Sequence, residues 1–260
     1  MKLVLSTLLS CACLVGCVGT TGGELLELQA YAAGPIDTEA NLRFATSLGY
    51  VVSLQEARIF VGGVYLNRSR PTSVASDTSC TLPGIYVAEV LHGREIDLLS
   101  SVPQAFPETG FATSDQALTG EVWLSQGDVN QTASSGVVLR VAGTAERDGA
   151  EFPFRGKLTI GQNRVLPPDA AALPGQHPIC KQRIVSPIAV DLVPKPGVAL
   201  MLRVDPRGMF ANVDFQTLDL VGAEYVFADE TGSNQASDNL YAGLRRSGGV
   251  YDLSWLEADQ

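Results

Sequence analysis

Histidine is nearly missing from this 260-residue chain, which holds only His92 and His177. Cysteine is scarce beyond the N-terminus. Three of the five lie within the first 17 residues, leaving Cys80 and Cys180. Few side chains are therefore available for transition-metal or imidazole-assisted chemistry. The local signatures of catalysis are absent too. There is no Gly-x-Ser-x-Gly elbow, no His-Glu-x-x-His, no glycine-rich phosphate loop after a strand and no Ser-x-x-Lys. Paired carboxylates of a hydrolase have no fixed sequence spacing, so an envelope hydrolase stays open as a minor alternative. The expectation is a protein that is not an enzyme and needs no cofactor.

Positive charge is also in short supply. The chain carries 18 Lys and Arg against 28 Asp and Glu, a net charge of −10. No cluster of basic residues stands in the sequence. Nucleic acid is not an expected partner, because its binding rests on neutralising phosphates. No apolar run approaches the ~20 residues of a spanning helix.

The longest apolar run, residues 3–15, follows Lys2 and reads as a secretory signal. It ends in Leu14-Val15-Gly16-Cys17. This resembles the lipobox of bacterial lipoproteins: a branched apolar residue, small residues at the cut, then cysteine. The resemblance implies cleavage before Cys17, with a diacylglyceryl group on its sulfur and further acylation of its amine. Two or more chains anchor far more firmly than one. Cys11 and Cys13 fit the pattern less well, since Cys11 leaves a short apolar region and Cys13 lacks an apolar residue three positions before it. The expected organisation is a signal peptide over residues 1–16, a tether over 17–23 and a single domain over 24–260. The lack of aspartate after Cys17 points, by family analogy, to the outer membrane, facing the periplasm or the cell surface.

The remaining chain alternates with period two. In residues 137–160, Val137, Leu139, Val141, Phe152, Phe154, Leu158 and Ile160 fall on one face, and Arg140, Glu146, Glu151, Arg155 and Lys157 on the other. Asp148-Gly149 between the two runs marks a tight hairpin, whose turn needs positive φ. Pro153 suggests an edge or a bulge. A second hairpin is expected over residues 188–204 around Pro194-Lys195-Pro196-Gly197. Further strands are expected at 25–32, 50–54, 57–66, 86–91, 118–124, 213–220 and 224–227, with a bend at Gly62-Gly63. One helix is expected from Ser237, with Leu240, Tyr241 and Leu244 as its apolar stripe. A last strand should place Tyr251, Leu253 and Trp255 on one face. Three long loops are expected at 67–84, 103–116 and 162–181. So many one-sided strands predict an antiparallel β-sandwich with one short C-terminal helix; a β-barrel is the alternative.

Four residues carry the remaining chemistry. In an oxidising envelope compartment, Cys80 and Cys180 are read first as a disulfide. Closing about 100 residues in this way stabilises by up to ~4–5 kcal/mol in the chain-entropy account. The alternative is a metal site of Cys80, His92, His177 and Cys180, two thiolates and two imidazoles in tetrahedral array. Oxidation would remove the thiolates, and with only Met201 and Met209 beyond residue 17 a soft copper site lacks ligands. The acidic run at Asp229-Glu230 lacks the alternation of a calcium loop and reads as a solvated connection. Asp205-Pro206 followed by Gly208 reads as a turn, with Arg207 and Phe210 available to a contact surface. Trp123 and Trp255 read as core.

The pieces YVVSLQEARIFVGGVYL, LTGEVWL, VVLRVAGTAERDGAEFPF and VDPRGMFANVDF resemble a group of bacterial envelope lipoproteins with β-rich mature domains. The resemblance spans most of residues 40–255. It implies strands and turns and transfers no catalytic residue. The function expected is that of a lipid-anchored binding or assembly module, held to the membrane by its N-terminal lipid. Its partner would be another envelope protein or a small ligand. Maleimide labelling of the denatured, unreduced protein checks the disulfide. Cys80 and Cys180 should stay unlabelled until a reductant is added; labelling without reductant would instead leave the thiolate site open.

Overall fold

A computed structural model of the chain describes residues 25–38, 42–69, 85–127, 136–161, 182–229 and 234–256. Its strands, in chain order, begin with β1 (Leu25–Leu28), β2 (Ala30–Ala33), β3 (Leu42–Ala45), β4 (Val51–Val61), β5 (Gly63–Asn67) and β6 (Tyr86–Val90). They continue with β7 (Arg94–Asp97), β8 (Gln104–Ala105), β9 (Gly110–Thr113), β10 (Ala117–Trp123), β11 (Val137–Arg147) and β12 (Ala150–Thr159). The last are β13 (Ile184–Leu192), β14 (Ala199–Val204), β15 (Asp219–Val221), β16 (Glu224–Phe227) and β17 (Tyr251–Leu256). A helix, α1 (Gln235–Leu244), precedes β17.

These strands make three sheets. The six-stranded sheet runs β1-β9-β6-β5-β10-β13, the seven-stranded sheet is built on β15-β16-β12-β11-β4-β3, and a four-stranded sheet runs β17-β14-β2-β8. None closes on itself, so the sandwich is the architecture and the barrel is not. The inward faces share one core. Val64, Leu66, Val90 and Val122 meet it from the six-stranded sheet, and Val52, Leu54, Ile59 and Val141 from the seven-stranded one.

Three of the places where the chain changes sheet are short corners that bear on the layout. After β1 it passes Gln29 and enters β2. At Gly62 it leaves β4 in one sheet and starts β5 in another. This is the expected bend, and it is a change of layer. A Cβ at Gly62 would lie 2.0 Å from the carbonyl oxygen of Ser125. The Gly62 N–H donates to the Trp123 carbonyl at 2.7 Å, tying the corner to β10. The third corner is Pro194–Gly197. The turn is present, with Gly197 at φ 76°. However, β13 and β14 do not pair: β13 joins β10, while β14 lies between β17 and β2. The second expected hairpin is thus a crossover. Pro194 and Pro196 bring no N–H to a ladder, so the strands separate there instead of zipping.

The first expected hairpin forms as read. Arg147↔Ala150 closes β11–β12, with Asp148 at φ 53° and Gly149 at φ 79°. Pro153 sits in β12 one position before Phe154–Gly156, the only stretch of β12 that pairs with β16. It thus lies where that edge is open and not at a bulge. The stretch 213–220 is mostly not a strand. Asp214 caps a 3-10 turn at Phe215–Thr217, and only Asp219–Val221 pairs. Helix α1 starts earlier than expected. Asn234 is its cap, accepting the Ser237 N–H at 2.8 Å, while the Ser237 hydroxyl is buried and accepts the Ala228 N–H. The stripe Leu240, Tyr241 and Leu244 is buried as expected. The segment 103–116 is not a loop: it holds β8 and β9, and β9 lies inside the six-stranded sheet. The other two expected loops lie largely outside the described residues.

One end of the core is aromatic. Phe154 packs on Phe215, Phe210 and Phe227 with ring centroids 4.8–5.8 Å apart. Phe210, expected on a contact surface, is fully buried there. Tyr50 packs edge-on to Phe215 at 5.1 Å and donates to the Asp214 carboxylate, and Arg147 lies 4.2 Å over its ring. Burial, then the Asp214 bond, pushes its phenol up to about 12. The substitution Gly62→Ala should destabilise the protein by about 2–3 kcal/mol, because its methyl overlaps the Ser125 carbonyl. Urea unfolding reads this directly; an unchanged midpoint would refute the corner.

Candidate functional site

The outward face of the six-stranded sheet departs from the usual solvated pattern. Alternation along β10 sends Gly120 and Val122 inward and Thr119, Glu121 and Trp123 outward. Yet Thr119 and Glu121 are buried, and Glu121 is only 1 % exposed. Across β5, Tyr65 and Asn67 point the same way and are buried too. Register then builds a row across five strands. Glu27 opposes Phe111, Phe111 opposes Glu89, Glu89 opposes Tyr65, and Tyr65 opposes Glu121. Carboxylate and aromatic alternate along it.

Three rings meet at the covered end of the row. Tyr65 packs on Trp123 at 4.3 Å with planes 32° apart, and on Tyr86 at 5.2 Å. The Tyr65–Trp123 contact is a diagonal one, because Trp123 faces Gly63 and the tyrosine leans over the vacant glycine. Ile184 lies opposite Trp123 on β13 and closes the cluster. This patch is separate from the main core, so the reading of Trp123 as core does not hold. Trp255 does pack against the main core.

Glu121 is held by donors from its own and neighbouring strands. Tyr86 donates its hydroxyl at 3.3 Å. The Asn67 oxygen is already engaged by the Ser69 N–H, the Ser69 hydroxyl and the Ile85 N–H at 3.0–3.1 Å. Its amide nitrogen is therefore turned toward Glu121, as is the Trp123 indole nitrogen. Neither reaches full hydrogen-bond geometry, so the Asn67 Nδ2, Glu121 Oε1 and Trp123 Nε1 atoms are buried without a complete bond. Ser186 adds a fourth such atom: its hydroxyl lies in the bulge of β13 that opposes Glu121. Burial raises the Glu121 carboxyl above the usual range, and the surrounding donors only partly offset this. Burial and the flanking Glu89 and Glu121 push the Tyr65 phenol up to about 12. Burial and Glu121 also raise that of Tyr86.

The other end of the row is open. Phe111 is 49 % exposed and Leu25, diagonal to it on β1, is 70 % exposed. Glu27 and Glu89 flank Phe111, and neither joins an ion pair or side-chain hydrogen bond among the described residues. The outward face of the seven-stranded sheet contrasts with this. Arg58, Arg140 and Lys157 stand side by side on β4, β11 and β12. Glu95 reaches Arg58 at 3.4 Å and Arg140 at 3.8 Å. The sequence shows no basic cluster; only register assembles this one.

Of the four residues considered for a metal, His92 alone lies within the described residues. It follows β6, at the sheet end where Gly63 and Ile184 flank Trp123. Its Nε2 lies 3.1 Å from Glu108, and both side chains are exposed. Among the described residues no group of three His, Cys, Asp or Glu is placed to hold a metal. Cys17, Cys80, His177 and Cys180 lie outside them, so the lipidation, the disulfide and the full metal set are outside the described structure. Asp229, the described part of the acidic run, accepts from the Thr159 N–H at 2.7 Å and the Thr159 hydroxyl at 2.6 Å, and so fixes the end of β12.

A cavity of about 450 Å³ opens beside Ile36, Asp37, Arg203 and Arg207. Arg207, expected on a contact surface, is engaged here. Its Nε bonds both Asp205 oxygens at 2.9 Å, and its Nη1 and Nη2 reach Asp37 at 2.7 and 3.1 Å. These bonds to Asp205 and Asp37 hold the guanidinium strongly protonated, and that to Arg207 lowers the Asp37 carboxyl. The guanidinium is committed to clasping residues 34–38 onto the turn at Pro206, which makes the cavity a poor recognition site.

No protein-family model and no curated protein match the chain. Among solved structures, MbnP from Methylosinus trichosporium is similar at a TM-score of 0.43 and 10 % identity, covering 90 % of this chain and all of that one. A likeness that distant transfers no residue role.

Glu121 and Trp123 were within reach of the sequence, since LTGEVWL places them on the face opposite Leu118, Gly120 and Val122. The pairing with Tyr65, and the burial, were not. The folded state holds the Glu121 proton more tightly than the unfolded chain does. It therefore binds more protons above the ordinary glutamate pKa of about 4.3, and stability from this group falls as pH rises through that interval. Glu121→Gln removes the effect while keeping an acceptor for the indole and amide. Thermal unfolding between pH 4 and 8 should show the variant gaining on the wild type as pH rises. A pH-independent difference would show that Glu121 is not held in this way.

Proposed function

We propose that the protein is a lipid-anchored, non-enzymatic binding module of the cell envelope. It engages a partner through the open end of the outward face of the six-stranded sheet. The observation that supports this most is the row Glu27–Phe111–Glu89–Tyr65. It sets an exposed ring between two carboxylates that have no ion-pair partner among the described residues, and continues through the buried Tyr65 into its aromatic contacts with Trp123 and Tyr86. A half-exposed phenylalanine and an exposed leucine side by side on a sheet face are typical of contact surfaces. No described helix is long and apolar enough to cross a membrane, so attachment in this reading rests on the lipid at Cys17. The row starts near that anchor: ten residues separate Cys17 from Glu27, at most about 35 Å of chain.

One experiment tests both halves. A photo-crosslinking amino acid is placed at position 111, in cells carrying Cys17 or Cys17→Ala. The Cys17 form should pellet with membranes and give a defined adduct on illumination, while Cys17→Ala should appear in the soluble fraction. Continued pelleting of Cys17→Ala would refute the anchor, and the absence of any adduct at 111 would refute the face. The same probe at Thr144, on the outward face of the other sheet, is the control.

A further inference from the structure

We infer that the open end of this row recognises a basic polypeptide segment in a polyproline II conformation, with two cationic side chains three residues apart. The inference rests on the face proposed above and adds the chemistry of its occupant.

The charge requirement comes from Glu27 and Glu89. They stand on either side of Phe111 in one row, and no cation among the described residues neutralises either. A third carboxylate, Glu121, continues the row beyond Tyr65, with Oε1 buried and lacking a hydrogen-bond partner. Burial, and then the neighbouring charges of Glu89 and Glu121, push the Tyr65 phenol up to about 12. Such a surface favours a guanidinium or ammonium group lying over a ring and against a carboxylate. On the opposite outward face Glu95 engages Arg58 and Arg140, and Glu224 engages Arg155, which leaves only Lys157 without an ion pair among the described residues of that row; a second copy therefore offers one free cation there and not two.

Spacing selects the conformation. Glu27 and Glu89 are two strands apart, about 9.6 Å at the ordinary strand separation. A bound β-strand repeats a face every two residues, about 6.6 Å, which falls short of one carboxylate when seated on the other. A polyproline II helix repeats a face every three residues, about 9.3 Å, and matches. The residues between the two cations would then pack on Phe111, with Tyr65 and the exposed Leu25 at the margins. Proline rings suit that contact, carry no N–H to satisfy and lose little entropy on binding.

The test uses three hexapeptides titrated by calorimetry against the purified protein. They are acetyl-Pro-Arg-Pro-Pro-Arg-Pro-amide, acetyl-Pro-Arg-Pro-Arg-Pro-Pro-amide and acetyl-Pro-Gln-Pro-Pro-Gln-Pro-amide. The first should bind at least about fivefold more tightly than the second, and the third should not bind measurably. Glu27→Gln/Glu89→Gln and, separately, Phe111→Ala should each weaken the first peptide about tenfold or more. Glu151→Gln/Asp219→Asn, which removes two exposed carboxylates elsewhere, should leave its affinity unchanged. Circular dichroism confirms that each variant is folded. Equal affinity for the two arginine spacings overturns the inference. Equal weakening by both carboxylate pairs also does, since it would reflect only the net charge of −10. A crosslink at position 111 alongside either result would keep the face and discard this occupant.

Discussion

A single stretch of chain, Val51–Asn67, belongs to two sheets, and the rest of the molecule depends on how it turns at Gly62. On one side of the corner β4 is flanked by β11 and by β3 and β7 in succession. On the other, β5 lies between β6 and β10. The corner is tight enough that the Ser125 carbonyl occupies the place of a side chain. Because side chains alternate with period two, a shift of one residue here would exchange the two faces of β5. Val64 and Leu66 would leave the core, and Tyr65 and Asn67 would enter it. The glycine therefore sets the register of the sheet as well as the direction of the chain. Through that register it sets the row that ends in Glu121.

The same alternation explains what could be read without coordinates. Long runs with a clean polar side, such as residues 137–160, gave both strands and the turn, since Asp148-Gly149 supplies the positive φ that a tight right-twisting hairpin demands. Several short strands were not legible. Arg94–Asp97 and Gly110–Thr113 are each four residues long, and pairing with longer neighbours, not propensity, holds them in place. The stretch around Val213 looked like a strand because its apolar residues alternate. Asp214 and the aromatic cluster instead wind it into a turn that buries Val213 and Phe215 together. Prolines at 194 and 196 carried the opposite message from the one expected: they mark separation of two strands, not their pairing.

The site was legible only in pieces. Sequence alone places Glu121 beside Trp123 on one side of their strand, but it ends the strand of Tyr65 at residue 66 and leaves Asn67 to a loop, where the structure extends the strand to Asn67. Their meeting needs the β5–β10 register, and Glu27–Phe111–Glu89 needs three strands from distant parts of the chain. The same limit applies to Arg58, Arg140 and Lys157, which look scattered in sequence and stand in line in the fold. Charge patterning on a sheet is a property of rows across strands, and the sequence displays only columns along them.

The row also shows how one face can be both rigid and available. Its covered end holds a carboxylate whose burial raises its pKa and is only partly offset by the donors of Tyr86, Asn67 and Trp123. Polar groups buried in this way constrain geometry, because each donor is useful in one arrangement only. Asn67 shows this most clearly: its oxygen joins Ser69 to Ile85, bridging two points 16 residues apart in the chain, while its nitrogen is turned to Glu121. Tyr65 links this fixed end to the open one, stacked on Trp123 and paired across from Glu89. Glu89 and Phe111 thus project from strands whose neighbours cannot slide, and the spacing of Glu27 from Glu89 becomes a fixed property of the sheet. Fixed spacing is what allows a surface of so few residues to distinguish a three-residue repeat from a two-residue one.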